Sequence, residues 1–222
     1  MGGDRLPSAP PATRRGRDKM TDQLNLWTSE FGDAYIARNE ATPALLDPRR
    51  VMWRRILSAF GDNRSTSVLE VGANVGLNMR VLGELSEAEL WAVEPNASAR
   101  ARLEADEVLP TDHVLDGTAS KIPLPDAAVD FAFTSGVLIH IHPDQLAASC
   151  AEIYRISSRY IAAIEYFSPE PTSVAYRGQL FKRDFGAFWL DSHPDLALVD
   201  YGFFWKRASG LDNLTWWLFR KP

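Results

Sequence analysis

Apolar positions in this chain alternate between two spacings, the three-to-four-residue interval of a helix and the short continuous run of a buried strand. Leu24, Trp27, Phe31 and Tyr35 recur at helical spacing between Thr21 and Arg38. Val51, Met52, Ile56 and Leu57 do so between about Pro48 and Phe60, after Thr42-Pro43. Five apolar runs then predict strands at about Ser67–Val71, Glu89–Val93, His113–Leu115, Val129–Thr134 and Tyr160–Tyr166. Helical patterns fall between them at Leu77–Leu85, Ala97–Ala105 and Pro143–Ile156, with Pro143 suited to a first turn. After a loop, a Phe-rich helical piece (Lys182–Leu190) leads to two late strands, about Ala197–Lys206 and Leu214–Arg220. This alternation predicts an α/β fold: a Rossmann-like, seven-stranded, mostly parallel sheet with right-handed crossovers. The last two strands, with no long helix between them, predict an antiparallel C-terminal edge hairpin, and residues 21–62 an N-terminal helical lid.

Composition narrows the picture. The 222 residues, 45% hydrophobic, suit one domain with a full core, expected over residues 21–222. Residues 1–20, rich in Pro, Arg, Gly and Ser, read as a disordered tail without a signal-peptide core, and Met20 is a candidate original start. A net charge of −5 argues against a nucleic-acid partner. No apolar run approaches the roughly 20 residues of a membrane span. A single cysteine, Cys150, excludes an intramolecular disulfide, so a reducing cytoplasmic setting is the default. The expected partner is a small-molecule acceptor, and the expected state a monomer or homodimer.

The chemistry gathers where the first strand meets its helix, at Glu70-x-Gly72-x-Asn74-x-Gly76. Backbone without side chains at a helix N-terminus approaches a ligand closely and can offer it unpaired N–H groups. Glu94 ends the second strand about twenty positions on, placed to take the hydroxyls of a ribose. A leading carboxylate and only two glycines differ from the dinucleotide turn. Glu70 repels a pyrophosphate and welcomes an ammonium group. The pattern resembles the E/D-x-G-x-G-x-G turn of class I S-adenosylmethionine-dependent methyltransferases, with Asn74 replacing the middle glycine. Asn tolerates left-handed backbone better than other side chains do.

The resemblance extends along the chain through Leu69–Gly76, Val93-Glu94-Pro95, Asp116-Gly117 and Asp130-Phe131-Ala132-Phe133 to Ser135-Gly136-Val137-Leu138-Ile139-His140-Ile141. It implies S-adenosylmethionine as cofactor. Glu70 then lies near the amino group, with Gly72, Asn74 and Gly76 under the methionine half. Glu94 holds the ribose with help from Asn96. Asp116 accepts from the adenine amino group beside Gly117 and Thr118, and Ser135 and Gly136 form a floor under the sulfonium. More narrowly, Trp27-x-x-x-Phe31-Gly32-x-x-Tyr35-Ile36-x-Arg38-Asn39 resembles the opening of the methylases associated with pseudaminic acid biosynthesis, as do Gly136–Ile141 and Tyr176-Arg177-Gly178…Phe181-Lys182-Arg183-Asp184-Phe185. Tyr35 and Arg38 end the first helix where a lid meets the pocket. Arg38 suits either the cofactor carboxylate or an ordinary helix C-terminus.

Methyl transfer from a sulfonium is an in-line displacement, and a base is needed only for a protonated acceptor. His140 is the candidate base, with a packing or capping role as its alternative. His142 alternates with it on the acceptor side. No carboxylate nearby completes a metal site around the pair, so none is expected. Glu165 and Tyr166, ending the fifth strand, are further catalytic candidates. Tyr176, Arg177, Lys182 and Arg183 form a basic and aromatic group suited to an anionic acceptor such as a carboxylated or phosphorylated sugar. The expected activity is methyl transfer to an O or N atom of such a metabolite. An NAD-dependent oxidoreductase or a non-catalytic binding protein on the same turn are the alternatives, the former weakened by Glu70 and by the lack of a Tyr-x-x-x-Lys pair after the fourth strand.

Overall fold

The computed structural model describes residues 39–175 and 179–222, together with Asn25, Trp27, Thr28, Ser29, Gly32 and Ile36. Apolar runs become strands where both faces can be covered. In β1 (Ser67–Val71) four of five residues are buried, as a central parallel strand requires. Around it stand β2 (Glu89–Val93), β3 (Val114–Leu115), β4 (Val129–Ser135), β5 (Ser157–Glu165), β8 (Ala197–Phe204) and β9 (Leu214–Arg220). They form one seven-stranded sheet in the order β3-β2-β1-β4-β5-β9-β8. The pairs from β3 to β5 are parallel. β9 runs antiparallel to both β5 and β8, so the expected edge hairpin is present.

Helices cover both faces. On one, α1 (Pro43–Ser58) and α2 (Leu77–Leu85) bury Met52, Trp53, Ile56, Val81 and Leu82 against Phe131 and Phe133. Trp53 meets Phe133 edge-on, with ring centroids 4.5 Å apart. On the other, α4 (Pro143–Ile156) and α5 (Phe185–Ser192) bury Leu146, Ile153 and Trp189 against Phe219. α3 (Ala97–Ala105) and the short α6 (Lys206–Ser209) complete the set.

β5 begins three residues before the expected Tyr160 and ends before Tyr166, and two other regions differ more from the sequence expectation. α1 starts at Pro43, five residues before the expected Pro48, because Pro43 takes the first-turn place and Pro48 sits inside the helix. Arg50 of α1 holds Glu84 of α2 at 2.6 Å, so α1 is part of the layered core. Second, β6 (Thr172–Ala175) and β7 (Gln179–Lys182) pair as a separate antiparallel ribbon in what the sequence presented as a loop. α5 then begins at Phe185, where Asp184 Oδ1 accepts the Ala187 N–H (2.9 Å) as an N-cap.

Candidate active site

The carboxyl ends of β1, β2 and β4 surround a cavity of about 280 Å³, at the sheet edge where open α/β folds hold ligands. The turn after β1 shapes one wall. Gly72, Asn74 and Gly76 have φ of 79°, 49° and 72°. A Cβ on Gly72 would lie 2.7 Å from Val137 Cγ2, so bare backbone is what lets the turns after β1 and β4 close on each other.

Four N–H groups of this turn are used inside the protein. Gly72 and Ala73 both donate to the Val93 carbonyl (2.7 and 3.3 Å), and Gly76 donates to Ala73 (2.9 Å). The Asn74 N–H donates to Glu94 Oε2 (2.8 Å). These bonds tie the turn to the end of β2. Two side-chain oxygens beside the cavity, Glu70 Oε2 and Asn74 Oδ1, are buried without a hydrogen-bond partner.

Glu70 closes a buried chain. Trp53 Nε1 donates to Asn78 Oδ1 (3.1 Å), and Asn78 Nδ2 donates to Glu70 Oε1 (2.6 Å). Burial pushes the Glu70 pKa up to about 8, against the Asn78 hydrogen bond and the positive charge of Arg49. Glu94 is also buried, and its pKa is raised by desolvation against its two backbone hydrogen bonds. The second of these comes from the Asn96 N–H to Oε1 (2.9 Å). Each Glu94 oxygen keeps lone-pair capacity for a hydroxyl donor. The Asn96 side chain is committed at both ends: Oδ1 accepts the Ala99 N–H (2.9 Å) at the start of α3, and Nδ2 donates to the Trp27 carbonyl (2.8 Å).

Gly117, Thr118, Ser135 and Gly136 line the cavity. Asp116 does not; it is exposed and pairs with Arg100 at 3.1 Å. β3 is only two residues long and ends before Asp116, so no strand aims that carboxylate inward. His140 closes a single 3-10 turn, Leu138–His140, after β4. Its ring meets Trp27 edge-on at 4.6 Å, and desolvation pushes its pKa down to about 4. His142 lines the cavity too. It caps α4 by accepting the Asp144 N–H (3.3 Å) and packs edge-on against Phe181.

The fifth-strand candidates lie elsewhere. Glu165 is fully buried, does not line the cavity, and accepts the N–H groups of Val137 (3.1 Å) and Leu138 (3.0 Å). Burial pushes its pKa up to about 7. The Tyr166 hydroxyl donates to Asp212 (2.6 Å). Lys182 lies over the Tyr166 ring and Arg183 over Phe188, all outside the cavity lining. Tyr35, Arg38, Tyr176 and Arg177 fall outside the described residues. Several lining residues went unnoticed as ligands in the sequence, among them Trp27, Arg49 and Asn78. For Arg49 and Asn78 the signal was spacing. Arg49 lies four residues before Trp53, and Asn78 four after Asn74, so each shares a helix face or turn with a residue already pointing inward. Among the described residues no cluster of His, Cys, Asp and Glu is arranged to hold a metal ion, and no helix is long and apolar enough to cross a membrane.

Residues 69–159 match the family model of the methyltransferase domain. That stretch runs from β1 into β5 and carries the glycine turn, Glu94 and His140. Among solved structures, the chain is similar to the 1,6-didemethyltoxoflavin-N1-methyltransferase of Burkholderia thailandensis, with bound 1,6-didemethyltoxoflavin and S-adenosylhomocysteine. Identity is 20%, the TM-score 0.64, and the match covers 98% of this chain and 93% of that one. It is similar also to magnesium protoporphyrin IX methyltransferase of Synechocystis PCC 6803 with bound S-adenosylmethionine: 13% identity, TM-score 0.67, 96% and 100% covered. The [4+2]-cyclase SpnF shares the fold as well, at 12% identity and TM-score 0.61 over 78% of this chain and 80% of that one. No curated protein matches the sequence. The domain match covers about two fifths of the chain, and the solved structures share its fold.

Proposed function

We propose that the cavity binds S-adenosylmethionine and that this methyltransferase modifies an O or N atom of a small, polar, anionic metabolite. The observation that carries the cofactor half is Glu94. Its two oxygens are fixed at the cavity wall by the Asn74 and Asn96 N–H groups, across from the bare backbone of Gly72. The donor set fits the group. Glu70 Oε2 and Asn74 Oδ1 have no partner; once Glu70 gives up its proton both accept, which suits an ammonium and not a pyrophosphate. That disfavours a dinucleotide in the same place.

When bound, S-adenosylmethionine supplies an electrophilic methyl group on a sulfonium. Glu70 would hold the amino-acid end, Glu94 the ribose, and the Gly117–Thr118 backbone the base, with Ser135 and Gly136 lining the cavity for the reacting end. His140, neutral at pH 7 because burial holds its pKa near 4, takes the proton of an acceptor that arrives protonated. The anionic acceptor is supported by Arg49 in the cavity lining and by the sequence resemblance to pseudaminic acid-associated methylases.

Calorimetry with S-adenosylhomocysteine and, separately, NAD tests the cofactor. Micromolar binding of the first and none of the second is expected, and the reverse overturns the proposal. Turnover on a panel of carboxylated and phosphorylated sugars tests the acceptor. Cofactor binding without methylation of any acceptor would instead favour a non-methylating role, as one structural neighbour is a cyclase.

A further inference from the structure

The cofactor wall and the proposed base are joined by a chain of contacts that the reaction itself does not require. It starts at Glu94 Oε1, which accepts the Asn96 N–H (2.9 Å). It continues from Asn96 Nδ2 to the Trp27 carbonyl (2.8 Å), and ends where the Trp27 ring meets His140 edge-on at 4.6 Å. Trp27 belongs to the segment before α1, some seventy positions from Asn96 in sequence. A second observation marks this contact as built. A Cβ on Gly32 would lie 1.9 Å from the Trp27 carbonyl oxygen and 2.6 Å from Asn96 Nδ2, so only glycine leaves room for the bond.

We propose that Asn96 is a positioning residue: it latches the Trp27 segment to the end of β2 and so seats the indole over His140, keeping the base dry and fixed. This rests on the methyltransferase assignment for its purpose, not for its geometry. The Asn96 amide is suited to the task because it has no freedom left. Its oxygen caps α3 through Ala99 and its N–H is held by Glu94, so the remaining Nδ2 points one way. Desolvation is the cause that lowers the His140 pKa, and Trp27 is the ring packed on it. Among the described residues, the titratable groups on adjoining structure include His142, two residues on, and Glu165, which lies behind the Val137–Leu138 backbone and bonds it from the far side. Opening the latch would rehydrate His140 and return it towards its ordinary value of 6.5.

The test is NMR titration of His140 in the full chain without cofactor, assigned with His140→Ala, in three variants. Asn96→Ser keeps an oxygen to cap α3 but is too short to reach Trp27. Gly32→Ala crowds the same bond from the other side. Trp27→Phe keeps an apolar ring over the imidazole. The first two should raise the His140 midpoint by at least one pH unit, while Trp27→Phe should stay close to the parent. With cofactor saturating, the acid limb of the rate profile should move up with the midpoint. An unchanged midpoint in Asn96→Ser and Gly32→Ala, both folded by circular dichroism, overturns the latch. Failure of S-adenosylhomocysteine to bind the parent protein overturns the methyltransferase assignment instead, and leaves the titration to judge the latch alone.

Discussion

Replacing Glu70 by Gln should flatten the dependence of stability on pH, and the size of the effect follows from burial. Glu70 has its pKa pushed from 4.5 to about 8, so between those values the folded chain holds a proton that the unfolded chain releases. Its contribution is fully present below pH 4.5 and is lost as pH rises towards 8. His140 acts oppositely. Its folded pKa of about 4 lies below 6.5, so it adds stability as pH rises across that interval and masks part of the Glu70 slope. The clean window is pH 6.5 to 8. There, 1.5 pH units at about 1.4 kcal/mol per unit give a loss of about 2 kcal/mol from Glu70. Glu165, at about 7, adds only the first half unit, ~0.7 kcal/mol. Urea unfolding at half-unit steps measures the slope. The parent should lose about 2–3 kcal/mol over the window, and Glu70→Gln, which can still accept from Asn78, about 2 kcal/mol less. Binding should show the same proton. Uptake of S-adenosylhomocysteine at pH 7 should release about one proton per site, read by calorimetry in buffers of different ionisation heat. Equal slopes for parent and variant would refute the argument that Glu70 is buried protonated.

Three further outcomes test the site. Glu94→Ala should weaken S-adenosylhomocysteine more than tenfold in calorimetry, since it also strands the Asn74 and Asn96 N–H groups; unchanged affinity removes Glu94 from the site. His140→Ala should lower turnover by about 10²-fold or more with near-normal cofactor affinity, and survival of turnover at neutral pH would reject it as the base. Glu165→Gln keeps an oxygen for the Val137 and Leu138 N–H groups and should leave turnover within about threefold, whereas Glu165→Ala should cost ~2–4 kcal/mol in urea unfolding. A stable Glu165→Gln with turnover abolished would make Glu165 catalytic after all.

The sheet was legible because its central strands are largely buried and so appear as short, predominantly apolar runs. The expected bounds of β1 and β2 coincide with those observed. The β6–β7 ribbon was not, since Thr172–Ala175 is exposed along its length and leaves no apolar pattern to read. The start of α1 was ambiguous for another reason. Two prolines stand five residues apart and either satisfies the first-turn rule; burial of Met52, Trp53 and Ile56 decides where the helix packs, not where it begins.

The site was legible in its order along the chain and less so in its aim. Position at a strand end says that a side chain is near the ligand edge, but not which side of the following turn it occupies. Glu94 and Glu165 show the difference. Glu94 is met by N–H groups from the turn after β1 and from its own helix, and remains at the cavity wall. Glu165 is covered instead. The Gly136 N–H donates to the Ile164 carbonyl (2.8 Å), drawing the Val137–Leu138 turn across the end of β5, and the buried carboxylate becomes that turn's acceptor. The cations followed the same logic. Lys182 and Arg183 found aromatic faces at Tyr166 and Phe188, where a charge keeps much of its solvation, while Arg49, on the buried side of α1, reached the cavity. Glu70 is mostly protonated at neutral pH, and His140 is neutral there. Two of the groups proposed to meet the cofactor and acceptor thus hold no charge until a partner arrives, which makes Glu70's proton the most direct report of what enters.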